Sequence, residues 1–276
     1  GYVGTSLVPK LLEKYSVVAL DRFYFGHDLL PSAEKEPRLS LVKKDVRSLS
    51  LGDFEGIDIV IDLAAMSNDP AGDLNADLTM AVNYQARAKN AKLAKEAGVK
   101  AYLLASSCSV YGKAYQNVLR EDGELNPVTL YAKCNVMAEE ALLALKSDSF
   151  APIIVRQGTL FGYSPRMRYD LIVNLMTLHA YQKGLVTILG GGAQMRPLLH
   201  VADSAEVMCR LITGKPEVVS GEIFNVACTN LSTRTVASLV REQLPFVVQL
   251  NDAPDDIDKR SYSVSTDKLN AVLKDF

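Results

Sequence analysis

The sequence predicts an α/β protein built on a doubly wound parallel sheet. Short apolar runs of strand length alternate with helical patterns along most of the chain, which is typical of buried parallel strands joined by right-handed crossovers. The chain has 276 residues, of which 48% are apolar. This length suits one large α/β domain, or a core with a smaller lobe.

Apolar runs of strand length are predicted to form the sheet: Ser16–Leu20, Leu39–Val42, Asp58–Leu63, Ala101–Ala105, Pro152–Val155 and Glu222–Val226. Segments with helical periodicity separate and follow them: Thr5–Glu13, Leu74–Ala97, Tyr131–Leu145, Leu171–Lys183, Ala202–Thr213, Thr233–Gln243 and Thr266–Val272. The strand pattern becomes sparse after about residue 165. We therefore expect a sheet domain over residues 1–165 and a smaller lobe over 166–276, with a segment near 222–226 returning to the sheet.

Composition excludes several classes of function. Thirty basic and thirty-two acidic residues give a net charge of −2, so no global field favours nucleic acid or an anionic membrane as a partner. The four cysteines form no CxxC pair, which favours a reducing cytoplasm over a disulfide framework or a metal site. No apolar run approaches the length of a membrane span.

The beginning of the chain is typical of a dinucleotide site. Gly1 and Gly4 lead directly into an amphipathic helix, and Asp21 ends the next predicted strand. The spacing resembles the end of a Gly-rich fingerprint, in which glycines admit a pyrophosphate and the acid binds the adenosine ribose. Asp21 favours NAD because a carboxylate repels a 2′-phosphate, whereas the adjacent Arg22 keeps NADP open. We expect the first strand of this sheet to precede Gly1.

Two further strand ends are candidates for contact with a cofactor. Asp45 and Val46 follow the predicted strand at 39–42 and either flank an adenine or cap a turn. Leu63, Ala64 and Ala65 close the next strand with small side chains, which either let a cofactor approach or pack a helix against the sheet.

The most informative motif combines Ser107 with Tyr131. The segment SSCSVYG at 106–112 ends a buried strand, and YAKCN at 131–135 begins a helix. A serine hydroxyl beside a tyrosine is an arrangement for moving a proton while a nicotinamide ring exchanges a hydride. The alternative is that Tyr131 is an aromatic residue that packs at the helix start. Lys133 is two residues, or about 200° of helical rotation, from Tyr131 and is expected to point away, whereas Asn135 returns to the same face.

These motifs, in this order, resemble the nucleotide-sugar epimerase/dehydratase family of extended short-chain dehydrogenases/reductases. The resemblance covers nearly the whole chain and includes further segments: LAA at 63–65, Asn83, RPLLHVAD at 196–203, FNV at 224–226, and Arg260 before SY at 261–262. It implies a Rossmann-type fold, a bound NAD cofactor with Asn83 at its site, and a UDP-glucose 4-epimerase-like architecture.

The resemblance also implies roles for the catalytic residues. Tyr131 takes the position of the general acid/base, Ser107 that of the hydroxyl that polarises the sugar oxygen, and Asn135 that of a lysine. An asparagine can hydrogen-bond a ribose but supplies no charge. Because a phenol has a reference pKa of about 10, loss of the ammonium is expected to slow proton abstraction.

On the substrate side, Arg196 and Arg260 resemble the two arginines that clamp a nucleoside diphosphate. Thr159 stands where the epimerase pattern has an asparagine that touches the sugar, so the usual galactose/glucose substrate is in doubt. Family dehydratases carry an acidic pair where this chain has Cys108 and Ser109, which disfavours dehydration.

The expected function is an NAD-dependent nucleotide-sugar 4-epimerase acting through a transient 4-keto sugar. A nucleotide-sugar reductase or dehydrogenase is the second interpretation. A nucleotide-binding protein without turnover is the third, and Asn135 is its motivating residue. The resemblance also implies a cytoplasmic homodimer formed by the helices predicted at Leu74–Ala97 and Tyr131–Leu145.

Overall fold

The computed structural model describes residues 1–31, 35–67, 75–214, 216–251 and 260–274, without the side chains of 115–117, 216 and 217. Its strands are β1 Val17–Asp21, β2 Leu39–Lys43, β3 Ile59–Asp62, β4 Ala101–Ser107, β5 Lys113–Leu119, β6 Ala151–Gln157, β7 Thr159–Phe161, β8 Leu185–Leu189, β9 Met195–His200, β10 Glu222–Val226, β11 Thr229–Ser232, β12 Val247–Asn251 and β13 Ser261–Val264. Its α-helices are α1 Gly4–Leu12, α2 Ala76–Met80, α3 Arg87–Glu96, α4 Leu130–Leu143, α5 Ile172–Lys183, α6 Val201–Thr213, α7 Thr233–Gln243 and α8 Asp267–Val272.

The main parallel strands form two groups. Four strands pair in the order β10-β6-β4-β3, and β1 pairs with β2 in a separate parallel ladder. Alternate side chains of β4 enter different cores: Leu103 packs in a cluster with α1 and α6, and Tyr102 in one with α3 and α4. Helices therefore cover both faces of the sheet, as the doubly wound prediction requires.

The second half of the chain builds a smaller group of elements with its own apolar cluster. Met176, Ile188, Leu198, Val236 and Phe246 are among its buried members. Antiparallel pairing of β11 with β9 and parallel pairing of β7 with β9 form a three-stranded sheet beside it. The helix α6 packs instead with the main sheet, as does β10. The boundary at residues 165 and 166 stays a prediction.

The predicted elements of the main sheet are confirmed to within about two residues, and β10 and α7 match their predicted ranges. The sequence pattern missed β5, β7, β8, β9, β11, β12 and β13. Most of these strands are short or lie at sheet edges. In β8 buried and exposed residues alternate, and β12 is largely exposed, so neither strand has the pattern of a fully buried one.

The long helix predicted at Leu74–Ala97 has a different internal structure. Its predicted first residue, Leu74, lies outside the described residues. From Ala76 onward, α2 and α3 are joined by a six-residue π-helical segment, Ala81–Ala86. The π turn re-aims the side chains that follow it, a change that hydrophobic periodicity does not reveal. It ends immediately before Arg87, a residue of the candidate site.

Candidate active site

A large cleft extends from the space between β1 and β3 across the carboxyl ends of β3, β4 and β6, and side chains from both halves of the chain line it. Most of the predicted site residues line it: Gly1, Gly4, Asp21, Arg22, Asp45, Val46, Leu63, Ala64, Ala65, Ser107, Tyr131, Thr159, Arg196 and Arg260. The predicted residues Asn83 and Asn135 are buried behind its wall. The tertiary structure therefore brings together residues that are far apart in the sequence.

At one end of the cleft lie the groups predicted to bind the adenosine half of a dinucleotide. The helix α1 begins at Gly4, where an added Cβ would come within 4.0 Å of Leu63 Cδ1. Asp21 is exposed at the end of β1 and lines the cleft. A helix start beside a strand-end carboxylate fits a pyrophosphate and a ribose diol, so the residues present fit NAD.

Asp45 is engaged by two arginines at this end of the cleft. Arg47 donates to its carboxylate at 2.7 Å, and Arg22 lies 2.9 Å from the same oxygen. Hydrogen bonding by Arg47, reinforced by the charges of both arginines, lowers the pKa of Asp45 to about 2. Asp45 also caps the short 3₁₀ turn that starts at Val46. The turn-capping interpretation of Asp45 is thus confirmed, and contact with an adenine stays a prediction.

Asn83 supports the loop after β3 and does not line the cleft. Its side-chain amide donates to the Met66 carbonyl at 3.0 Å and accepts from the Met66 N–H at 2.8 Å. The residue is fully buried within the π-helical segment. Its position does not support the predicted direct contact with a cofactor, because both polar ends of the amide are engaged by the backbone.

Ser107 and Tyr131 reach the cleft from different elements. Ser107 is the last residue of β4, and its hydroxyl accepts a hydrogen bond from Ser109 N–H at 3.1 Å. Tyr131 lies in the first turn of α4, whose start is capped by the Thr129 hydroxyl. Both side chains are half-buried and line the cleft. The arrangement leaves a phenol and an alcohol available to a ligand bound at the strand ends.

The predicted orientations of Lys133 and Asn135 are confirmed. Lys133 is exposed, whereas Asn135 is completely buried one helical turn after Tyr131. The Asn135 carbonyl oxygen accepts a hydrogen bond from Arg87 Nη1 at 2.8 Å. Its amide nitrogen has no hydrogen-bond partner in the part of the chain that the structure describes.

Sequence reasoning missed Arg87, the first residue of α3. Its side chain is 4% exposed and lines the cleft. Besides its bond to Asn135, it donates to the Ala64 carbonyl at 3.2 Å and to the Ala105 carbonyl at 3.3 Å. The sequence places Arg87 four residues after Asn83, which puts both on one helix face. The other cations of this helix are typical of a solvent-exposed surface, so the pattern did not single out Arg87.

Among the described residues, Asp62 is the acid paired with Arg87, and its carboxylate lies 3.9 Å from Arg87 Nε. Asp62 accepts hydrogen bonds from the Tyr102 hydroxyl at 2.8 Å and from Ala64 N–H at 3.1 Å. Burial and the charge of Asp62 raise the pKa of Tyr102, so this phenol remains protonated and a donor. Asp62 is therefore shared among several donors and is not a close, bidentate partner of Arg87.

A second buried arginine lies behind the catalytic motif. Arg156 forks onto Glu139 with contacts of 2.7 and 3.1 Å, and Ser106 donates to the same carboxylate. Arg156 also donates to the Tyr111 hydroxyl at 2.9 Å. Ser106 is thus bonded within the packed interior, whereas Ser107 is half-buried and presents its hydroxyl to the cleft.

Neither residue of the pair at 108–109 is an acid that could serve an elimination. Cys108 is fully buried, its thiol donates to the Arg156 carbonyl at 3.1 Å, and burial raises its pKa. Ser109 is buried as well, and its hydroxyl is neutral. The chemistry at these two positions therefore differs from that of a carboxylate pair.

The substrate side of the cleft is formed by Arg196 and Arg260. Arg196 lies on β9 and donates to the Met195 carbonyl at 2.9 Å and to the backbone carbonyl of Arg260. Its guanidinium lies 5.9 Å from the Tyr262 ring centroid. Thr159 begins β7 and lines the same cleft. Two guanidinium groups in one cleft match the charge of a diphosphate.

Other classes of site receive no support from the described residues. No group of three or more His, Cys, Asp or Glu side chains among them could hold a metal ion. No helix in the described ranges combines the length and apolar character that crossing a bilayer requires.

The fold and this cleft define a class: Rossmann-type proteins with a cleft that fits a dinucleotide. Residues 1–227 match the model of the NAD dependent epimerase/dehydratase family, and the chain belongs to that family. The predicted family, fold and NAD cofactor are thereby confirmed.

Relatives and solved structures agree with this assignment. The chain is 28% identical over 255 residues to a Bacillus subtilis (strain 168) protein described as an uncharacterized UDP-glucose epimerase, YtcB, covering 88% of this chain and 79% of the relative. It is 24% identical over 262 residues to the mouse (Mus musculus) dTDP-D-glucose 4,6-dehydratase, covering 91% and 72%.

Among solved structures, MoeE5 in complex with UDP-glucose and NAD has a TM-score of 0.83 and 26% identity, with coverage of 99% of this chain and 89% of that one. UDP-glucuronic acid 4-epimerase from Bacillus cereus, at 20% identity, has a TM-score of 0.86 and coverage of 99% and 90%. The second likeness is one of fold.

Proposed function

We propose that this protein is an NAD-dependent nucleotide-sugar 4-epimerase that acts through a transient 4-keto sugar. The observation that carries the proposal is that Ser107, at the end of β4, and Tyr131, in the first turn of α4, line the same cleft as Asp21, Arg196 and Arg260. Along this cleft, Asp21 and the start of α1 match a dinucleotide. Ser107 and Tyr131 match the reacting carbon of the sugar, and Arg196 and Arg260 match its diphosphate.

In the proposed mechanism, Tyr131 acts as the base. Its phenolate removes the proton from the sugar 4-hydroxyl while the Ser107 hydroxyl donates a hydrogen bond to the same oxygen. NAD, when bound beside these residues, would supply the acceptor and donor for the hydride at C4 of the sugar, which would turn its other face as the keto form. Tyr131 then gives the proton back to the oxygen, so the reaction has no net redox change. Arg196 and Arg260 hold the diphosphate while the sugar turns.

Epimerisation is favoured over dehydration by the pair at positions 108 and 109. Elimination of water needs an additional acid and base next to the reacting carbons. Here Cys108 is a buried thiol bonded to a backbone carbonyl, and Ser109 is a buried neutral hydroxyl. The likeness to a UDP-glucose epimerase and to MoeE5 with UDP-glucose makes UDP-hexoses and UDP-hexuronic acids the first substrates to test.

A second candidate function is a nucleotide-binding protein without turnover. Asn135 motivates it, because the position one turn after Tyr131 carries a neutral amide. A nucleotide-sugar reductase or dehydrogenase is the third candidate, since the same residues support net hydride transfer when the cofactor is released.

Incubation with NAD and each nucleotide sugar, followed by separation of the sugar isomers, tests these candidates. The proposal predicts exchange between C4 epimers and no net formation of NADH. A deuterium label at C4 is expected to be retained, and the hydrogen at C5 is not expected to exchange with solvent. Stoichiometric NADH formation would identify the dehydrogenase, and binding without exchange the non-catalytic protein. Tyr131→Phe is expected to lower turnover by about 10²- to 10⁴-fold, with Tyr169→Phe as a matched control on an exposed tyrosine.

We also propose that the protein is a homodimer. The helices α2, α3 and α4 and the π-helical segment pack against one another on one side of the main sheet. Two such layers related by a two-fold axis would form a four-helix bundle. Light scattering after size-exclusion chromatography measures the mass, and a mass equal to one chain of 30.1 kDa contradicts the proposal.

A further inference from the structure

Arg87 places a fixed positive charge next to Asn135, at the wall of the cleft. A guanidinium has five N–H donors, no acceptor, and stays protonated in proteins. Arg87 uses these donors on three oxygen atoms, which belong to Ala64, Ala105 and Asn135. The side chain is thus held at three points and its charge cannot swing away from the site.

The bond from Arg87 also decides how the Asn135 amide is oriented. Because a guanidinium only donates, the carbonyl oxygen of Asn135 must face it, as the 2.8 Å contact shows. The NH₂ group is consequently directed elsewhere, and it is a buried donor with no acceptor among the described residues. A buried unsatisfied donor is costly, so a donor retained there points to a ligand oxygen.

Asn135 and Tyr131 lie one turn apart on α4, so their side chains start about 5–6 Å from each other on one helix face. A charge bonded to Asn135 is therefore near the phenol that the proposed mechanism uses as a base. A neighbouring positive charge stabilises a phenolate.

The other charged groups around Arg87 offset only part of its charge. Asp62 faces the Nε side of the guanidinium at 3.9 Å, whereas Asn135 is bonded to the Nη1 end. Glu139, on the same helix as Asn135, is neutralised by Arg156. Lys133 is exposed on the opposite face.

We propose that Arg87 and Asn135 together perform the two tasks that a single lysine would perform at position 135. Arg87 is a positioning residue that supplies the charge and fixes the amide, and Asn135 supplies the donor. Because this donor is fully buried beside Arg87, which lines the cleft, its bond to a hydroxyl of the nicotinamide ribose requires that the bound cofactor displace the side chains that cover it. This inference rests on the proposed function for its catalytic part. Its cofactor-binding part is independent of turnover.

The first test is a set of variants assayed for epimer exchange over a range of pH: Arg87→Met, Arg87→Lys, Asn135→Lys, and the double variant Arg87→Met/Asn135→Lys. Arg87→Met is expected to lower kcat by about 10- to 100-fold and to move the rise of the pH–rate profile to higher pH by about one unit. In the double variant, the new ammonium is expected to restore at least about tenfold of the loss.

Asn135→Lys alone puts two cations in contact and is expected to give no gain in kcat. Lys92→Met is the matched control, because it removes an exposed cation from the same helix outside the cleft. An unchanged kcat and pH profile in Arg87→Met, or a folded double variant with no recovery, overturns the charge role. If Arg87→Met does not fold, Arg87→Lys and the double variant decide, since both keep a cation at the site.

The second test is NAD binding by calorimetry without a sugar. Asn135→Leu removes the donor at similar volume and is expected to raise the Kd for NAD by about fivefold to tenfold. Arg87→Met is expected to weaken binding as well, because the amide is no longer held in one orientation. An unchanged Kd in both variants overturns the ribose contact. If the wild-type protein binds NAD but exchanges no sugar, the proposed function fails and this second test still decides the role of Asn135.

Discussion

The two buried arginines, Arg87 and Arg156, show how similar side chains are used differently. Both are almost inaccessible, at 4% and 2% exposure. Arg156 is held in a closed network by a bidentate bond to Glu139 and a bond to the Tyr111 hydroxyl. Although burial opposes the charged form, the hydrogen bonds and charge of Glu139 raise the pKa of Arg156.

No carboxylate in the part of the chain that the structure describes forks onto Arg87 in this way. Its close partners are two backbone carbonyls and one amide, and its acid, Asp62, is 3.9 Å away and shared with other donors. The charge of Arg156 is thus neutralised within the core by Glu139, whereas the charge of Arg87 can act on a ligand bound in the cleft. The comparison indicates that burial of a charge does not itself tell whether its role is structural or functional.

The largest expected effect on stability comes from Arg156→Met. Removal of the guanidinium leaves Glu139 buried without its partner, which costs about 3–5 kcal/mol in the free energy of unfolding. Denaturant titration followed by circular dichroism measures the loss, with Lys92→Met as the control. A loss below about 1 kcal/mol would contradict the closed-network interpretation.

A double variant, Arg156→Met/Glu139→Leu, is expected to be more stable than Arg156→Met alone by about 2 kcal/mol. Replacing both partners of a buried pair by apolar groups removes the uncompensated charge. The same denaturant titration gives the coupling between the two sites. Additive losses would show that the two side chains contribute independently.

Arg87→Met is expected to cost less, about 1–2 kcal/mol, although Arg87 is nearly as buried as Arg156. Water entering the cleft can satisfy the carbonyls of Ala64 and Ala105, a replacement that the closed core around Arg156 does not permit. Unfolding measured beside Arg156→Met tests the difference. Equal losses in the two variants would remove the distinction between the two regions.

The smallest effect is expected at the solvent-accessible pair of Arg47 and Asp45. Because Arg47 lowers the pKa of Asp45 from 3.8 to about 2, the pair stabilises the folded state above pH 4 and this contribution is lost as the pH falls towards 2. Arg47→Met should therefore have the smallest effect of these variants on the free energy of unfolding at neutral pH, and that effect should shrink as the pH falls through about 2. A difference between the two proteins that grows at low pH would contradict this sign.

Much of the main sheet was predictable because its strands are short and mostly apolar. The smaller lobe was not, because strands such as β8 and β12 alternate buried with exposed residues or are largely exposed, and their pairing joins segments far apart in the chain. The π-helical segment at Ala81–Ala86 was likewise invisible, since a π turn leaves no distinct pattern of residues.

The candidate site was predicted in the same uneven way. Ser107, Tyr131 and Asp21 are recognisable because their chemistry occurs at fixed offsets from strand ends. The structure adds to Asn83 two hydrogen bonds with the Met66 backbone that the sequence did not indicate, and its contact with a cofactor stays a prediction. Arg87 was missed because a cation on a polar helix reads as solvated until the fold buries it.

The sequence by itself determined the parallel sheet, the family and the pair of residues proposed for proton transfer, since these depend on local periodicity and on spacing along the chain. Only the tertiary structure decided what surrounds that pair. A hydrogen bond of 2.8 Å between Arg87 and Asn135 joins residues 48 positions apart, on two helices packed side by side. Charge and orientation at a site depend on distances in space, which packing sets and local sequence does not encode.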